Sequence, residues 1–205
     1  TGAADTVARI LGLTRGADLW KRTQQALAGE VPWNEGLLAL TRLADLRRPA
    51  WADSAAILTG HINEGKVSAP PGIDPGDLIE PLRAVQLMAE RATVGDAAMR
   101  DRILAAVPEG HYGLADAWVL GRLDRSVHVA DSLMARFSSA TDENFRVRYL
   151  TLLSFSDDPV AIPFLARVYA APDSVGIPPR AATRASDALL WIGTREAYAA
   201  LLRAR

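Results

Sequence analysis

The residues able to do chemistry are few and scattered. His61, His111 and His128 are the three histidines of the 205-residue chain. None is expected to share a helix face with a second histidine or a carboxylate at the three or four spacing that a helical metal site needs. His111-Tyr112 beside Glu109 puts acid and base groups in one short stretch, but Pro108 and Gly110 mark it as a hydrogen-bonded turn that opens a helix. Asp142-Glu143 and Asp157-Asp158 are paired carboxylates. Both stand where a helix is expected to begin, and there the free amides and the positive dipole end favour negative charge, so capping accounts for them. Cysteine is absent, which removes disulfides, thiolate metal ligands, thioether haem attachment and thiol nucleophiles. There is no Gly-rich phosphate turn after a strand, no Gly-x-Ser-x-Gly elbow and no His-Glu-x-x-His. The chain is therefore read as non-enzymatic, with no catalytic, cofactor-binding or metal-ligating residues.

Composition narrows the partners. With 49% hydrophobic and 23% charged residues the chain is ordinary globular material. Its 23 Lys and Arg against 24 Asp and Glu leave no net field to attract a phosphate backbone, so nucleic acid is not an expected partner. Lys21 and Lys66 are the only lysines; the arginine excess reads mainly as coding bias and secondarily as a supply of forked ion-pair donors. No apolar run approaches the roughly 20 residues of a membrane span. Because Thr1 opens the chain without Met, an extracytoplasmic, periplasmic location after loss of a leader is the favoured expectation, a cytoplasmic one the alternative.

The elements that must position these residues are helices throughout, since apolar residues recur at spacings of three and four and period-two alternation is nearly absent. Val7, Ile10 and Leu11 form one stripe and Leu19, Trp20, Ala26 and Leu27 another, with Gly12 and Gly29 as stops. Asn34 is the expected cap of a third helix carrying Leu37, Leu38, Leu40, Leu43 and Leu46 up to Pro49, and a fourth runs over 50–61. Residues 64–76, with Gly65, Pro70, Pro71, Gly72, Pro75 and Gly76, form a long loop between the diverged helix pairs of 1–63 and the repeats of 77–205, the two parts being expected to make one continuous domain. Asp74-Pro75 can cap the next helix, whose regular part is expected nearer Asp77 or Glu80 because of Pro81. Another helix opens at Asp96 and closes before Pro108.

From residue 111 the helices pair regularly: 111–123 with 127–137, 143–155 with 159–170, and 179–192 with 195–204. Val147-Arg148, Leu153, Ala161 and Leu165 return as Thr183-Arg184, Leu189, Ala197 and Leu201, an offset of 36 residues. A period of this size means one helix pair per unit, each covering its apolar face with the next. Val147-Arg148-Tyr149-Leu150 with the Asp158-Pro159-Val160-Ala161-Ile162-Pro163-Phe164-Leu165 run resembles HEAT repeats, particularly the HEAT-like repeats of phycobilisome lyases. Arg184 to Gly193 with Glu196-Ala197 fits the same pattern without the prolines, and Ala117 to Gly121 with Val129-Ala130 fits it more weakly. The resemblance covers about half the chain. It implies an all-α, right-handed α-solenoid of about six antiparallel helix pairs, HEAT-like in the C-terminal half.

The roles expected of the repeat residues are structural. Asp158 and Pro159 open a second helix, Pro163 bends it, Arg148 and Arg184 form a ladder to carboxylates or helix-end carbonyls between repeats, and Gly193 stops a helix. Trp118 and Trp191, amid Leu, Val and Ile, are expected in the core. Trp20, Trp33 and Trp51 lie beside charged residues, where amphipathic rings suit a partner surface. Together these readings describe a protein-binding scaffold or accessory subunit of a larger, membrane-associated bacterial assembly. The alternative that the resemblance implies is a HEAT-like enzyme or enzyme subunit such as a chromophore lyase.

Overall fold

A computed structural model of the chain describes the backbone of residues 2–110 and 112–203 and the side chains of residues 15–110 and 112–203. The described residues form eleven α-helices, four short 3-10 turns and no strand. The fold is all-α, as the three-and-four spacing predicts. The chain divides into two compact units, Thr1–Gly95 and Asp96–Arg205, so the 64–76 loop lies inside the first of them.

The first unit contains α1 (Gly2–Leu27), α2 (Trp33–Asp45), α3 (Pro49–Asn63) and α4 (Ile79–Val94). α1 packs on α2, α3 on α4, and α2 on α4. Gly12 does not stop α1: a glycine inside a helix costs only about 1 kcal/mol relative to alanine, and the turn instead comes at Gly29, where φ is +75°. The Val7, Ile10 and Leu11 stripe lies outside the residues whose side chains are described. Helix α2 begins one residue before Asn34, after Pro32. Two close approaches fix the packing. An alanine Cβ at Gly36 would stand 2.6 Å from the Ala26 Cβ, and one at Gly16 would stand 2.2 Å from the Trp51 indole nitrogen. α1 thus meets α2 and α3 through two glycine notches.

The second unit contains α5 (Asp96–Ala106), α6 (Leu114–Leu120), α7 (Val129–Ser139), α8 (Glu143–Leu153), α9 (Ile162–Ala170), α10 (Pro179–Ile192) and α11 (Arg195–Arg203). α7 packs on α8 and α9 on α10; alternate helices also touch, α6 with α8, α8 with α10 and α9 with α11. Its core is built from Leu104, Leu133, Leu150, Leu153, Leu165 and Leu189, all buried. The 36-residue register holds in the elements. The starts of α8 and α10 are that far apart, as are Pro159, which opens the 3-10 turn before α9, and Arg195, which opens α11.

The residue before each of those second helices is a cap. Asp158 accepts from the Val160 amide at 3.1 Å, and Thr194 accepts from the Ala197 amide at 3.2 Å. Asp142, ahead of α8, accepts from Asn144 at 2.6 Å. The paired carboxylates therefore sit at helix starts, as expected. The lost hydrogen bond on which the expected bend at Pro163 rests does not arise. The helix begins at Ile162 after a 3-10 turn over Pro159–Ala161, so Pro163 occupies the first turn, where no internal hydrogen bond is lost.

Candidate functional site

Of the expected pairs only 179–192 with 195–204 is among the main helix contacts; α7 packs on α8 and α9 on α10 instead of α6 on α7 and α8 on α9. Helices α6, α8 and α10 each turn one lane of residues outward. On α10 the buried stripe is Ala181, Ala182, Ala185, Ala188 and Leu189. The opposite lane runs Arg180, Arg184, Asp187, Trp191 at spacings of four, three and four, and every member is exposed. Trp191 is 71% exposed, which corrects the expectation of a core tryptophan: its neighbours in sequence, Leu190 and Ile192, are poor guides because they lie 100° away around the helix. On α8 the register-equivalent lane is Arg148, Thr151 and, just past the helix end, Phe155, itself 38% exposed. On α6 the lane is Leu114, Trp118 and Arg122, one residue out of step.

These lanes converge. Trp118, Arg122, Phe155, Asp157 and Trp191 line one shallow depression of ≈ 160 Å³. Phe155 also belongs to an adjoining cleft of ≈ 480 Å³ with Tyr112, Leu114, Arg148 and Thr151. The guanidinium of Arg122 lies 3.4 Å above the Trp118 ring, which holds the half-buried indole flat against the surface by a cation–π contact. Gly121 permits the approach of α6 to α8, because a Cβ there would stand 3.1 Å from the Phe155 carbonyl oxygen. Three aromatic faces and a polar rim are the composition of a macromolecular contact.

Arginines tie the surrounding helix ends together. Arg148 Nη1 donates to the carbonyls of Val107 at 3.0 Å and Pro108 at 3.2 Å, just beyond the C-terminus of α5, as the ladder reading expects. Arg184 departs from that reading: it is exposed and has no partner among the described residues. The second strap is Arg146, which sequence reasoning missed. Its Nε donates to the Ala140 carbonyl at 2.9 Å and its Nη1 to Val175 at 3.1 Å, joining the end of α7 to the turn before α10. Only glycine at position 176 admits this arrangement, since a Cβ there would stand 1.9 Å from Arg146 Nη1 and φ is already +68°.

The N-terminal tryptophans are partly brought together. Trp20 and Trp51 stack at 6.4 Å between ring centroids with their planes 30° apart, and both are half-buried. The Trp51 indole N–H is buried over Gly16 with no hydrogen-bond partner among the described residues. These rings pack α1 against α3. Trp33 opens α2, half-buried, and joins no ring contact among the described residues.

His61 is exposed in the last turn of α3, and His111 lies outside the described residues. His128 Nδ1 stands 3.3 Å from Asp131 Oδ2, a carboxylate three residues on, which corrects the expectation that no histidine has one at that spacing. Both groups are exposed at the start of α7, and no cluster of three metal-ligating side chains is found among the described residues. Gly193 ends α10 in the left-handed region at φ 67°, as expected of a stop. Among the described residues no helix is long and apolar enough to cross a membrane. Compared with protein-family models, curated proteins and solved structures, the chain matches none.

Proposed function

We propose that this chain is a non-enzymatic protein-binding scaffold, an accessory subunit of a larger assembly, and that its partner docks on the lane of Trp118, Phe155 and Trp191. The observation that carries the reading is that Phe155 and Trp191 occupy equivalent repeat positions, 36 residues apart, and are both exposed toward depressions shared with Trp118. Exposed aromatic rings in repeat register favour a contact surface, because burying each against a partner contributes about 1.5–3 kcal/mol and such rings are the usual anchors of an interface. The second unit is read as a short α-solenoid of HEAT-like repeats and the first as diverged helix pairs. The contacts between alternate helices support this, as does a device common to both units: Asp74, Asp124 and Asp158 each cap a 3-10 turn that leads into a second helix.

The experiment is purification of the tagged chain from its native cells under mild conditions, beside the variant Phe155→Ser/Trp191→Ser. A stoichiometric protein retained by the unaltered chain and lost by the variant, with both melting at the same temperature, is the expected result. If no protein co-purifies, or if both chains retain it equally, the docking lane is wrong.

A further inference from the structure

One hollow of the second unit shares no lining residue with the docking lane and does not depend on the function proposed for it. Phe137, Ser138, Arg146, Arg167, Ser174 and Val175 line a depression of ≈ 330 Å³. They come from the end of α7, from α8 and α9, and from the 3-10 turn Pro172–Val175 that precedes α10. The volume lies at the lower end of the range of small-molecule sites and exceeds what a bare ion fills. Both charged groups in the lining are guanidiniums. No acidic side chain faces them there, and neither arginine has a carboxylate partner among the described residues. Asp142, one turn before Arg146, accepts from the Asn144 amide instead. Asp173, beside Ser174, is exposed and pairs with neither arginine.

The polar groups of the hollow say what fits there. Arg146 is half-buried and held: its Nε donates to the Ala140 carbonyl and its Nη1 to the carbonyls of Val175 and Gly176, at 3.1 and 3.5 Å. Those carbonyls satisfy N–H groups without cancelling the unit charge, and Nη2 keeps both of its donors. The Arg167 guanidinium lies 5.8 Å from the centre of the Phe164 ring, and Phe164 meets Phe137 edge to face at 5.1 Å. Its forked donors make no hydrogen bond among the described residues. Ser138 Oγ donates to the Met134 carbonyl at 2.8 Å and Ser174 Oγ to the Ala171 carbonyl at 2.7 Å, so each hydroxyl offers the hollow its lone pairs. Two uncompensated guanidiniums match the oxygens and the double charge of a phosphate monoester, and the serine lone pairs match hydroxyl donors beside it. We propose that this hollow binds a phosphate monoester carried by a small hydroxylated molecule of the sugar-phosphate class, its phosphate between Arg146 and Arg167 and its hydroxyls donating to Ser138 and Ser174.

The test is isothermal titration calorimetry of the full chain with glycerol 3-phosphate, ribose 5-phosphate and glucose 6-phosphate, each at up to millimolar concentration, beside inorganic phosphate and glucose. At least one sugar or polyol phosphate is expected to bind at a single site, inorganic phosphate more weakly because it engages the arginines alone, and glucose not at all. Arg167→Gln removes an exposed guanidinium and leaves the bonds of Arg146 in place. It is expected to weaken the bound phosphate ester about tenfold or more, with the circular-dichroism spectrum and the urea midpoint unchanged. Arg184→Gln removes the same charge from an exposed position outside the hollow and is expected to leave binding as it was. Absence of binding by all three esters, inorganic phosphate binding as tightly as any of them, or equal losses in the two variants overturns the proposal.

Discussion

At the scale of single residues, the packing of the first unit turns on Gly16. Alanine in place of a helical glycine ordinarily adds about 1 kcal/mol of stability. Here the added Cβ would fall 2.2 Å from Trp51 Nε1 and 2.4 Å from Cε2, and the indole is a rigid plane already stacked on Trp20. Overpacking of this kind costs about 1–3 kcal/mol, so the steric term outweighs the propensity gain. Gly16→Ala is expected to lower stability by about 1 kcal/mol or more in urea titration, with a red shift of tryptophan emission as Trp51 is displaced. Adding Trp51→Leu should recover the loss, since it removes the clash together with an indole N–H that has no partner. A Gly16→Ala protein more stable than the unaltered chain would show that the notch is not filled as described.

At the scale of elements, the same few devices recur, and they decide how much was legible beforehand. The Asp74, Asp142 and Asp158 caps could be read directly, because an aspartate before a proline or a charged helix start satisfies free amides wherever it occurs, and the structure places all three as acceptors. The outward lanes of α8 and α10 were only half legible. The 36-residue offset already pairs Phe155 with Trp191, but judging Trp191 by its immediate neighbours conceals the charged lane Arg180, Arg184, Asp187 to which it belongs. Arg146 carried little local signal, since its partners are the Ala140 carbonyl across the turn into α8 and the Val175 carbonyl, which only tertiary folding brings near. Its contribution is nonetheless the larger. Charge-assisted bonds to part-buried carbonyls are worth about 1.5–3 kcal/mol together with the cost of leaving them unpaired, whereas an exposed arginine contributes within about 0.5 kcal/mol. Arg146→Ala is therefore expected to shift the urea midpoint clearly downward and Arg184→Ala hardly at all. Arg146→Lys should recover little, because one ammonium lacks the forked geometry to reach two carbonyls in different directions. Equal effects of the two alanine substitutions would remove the strap from the account.

At the scale of the whole molecule, the division between Thr1–Gly95 and Asp96–Arg205 falls at a single residue, Gly95, between α4 and α5, with φ at +83°. The residue that follows is committed to the second unit: the Asp96 carboxylate accepts from the Asp124 amide at 2.6 Å, fixing the start of α5 to the turn before α7. The second unit has its own leucine core, and Arg146, Arg148 and Arg100 tie α5 and α8 to the ends and turns of neighbouring helices, Arg100 donating to the Val127 carbonyl. A piece of about 110 residues is well above the size at which a single core sustains a fold. Residues 96–205 expressed alone are thus expected to show an α-helical spectrum and one cooperative urea transition with a slope of about 1–1.5 kcal/mol per molar, the value its length implies. The strap variant gives this an internal control: Arg146→Ala should lower the midpoint of the isolated unit as it does that of the full chain, since every partner of Arg146 lies within the second unit. A broad transition with dye-binding apolar surface in the isolated piece would mean that its core is completed by residues before Asp96, and that the boundary at Gly95 separates packing density without separating folding units.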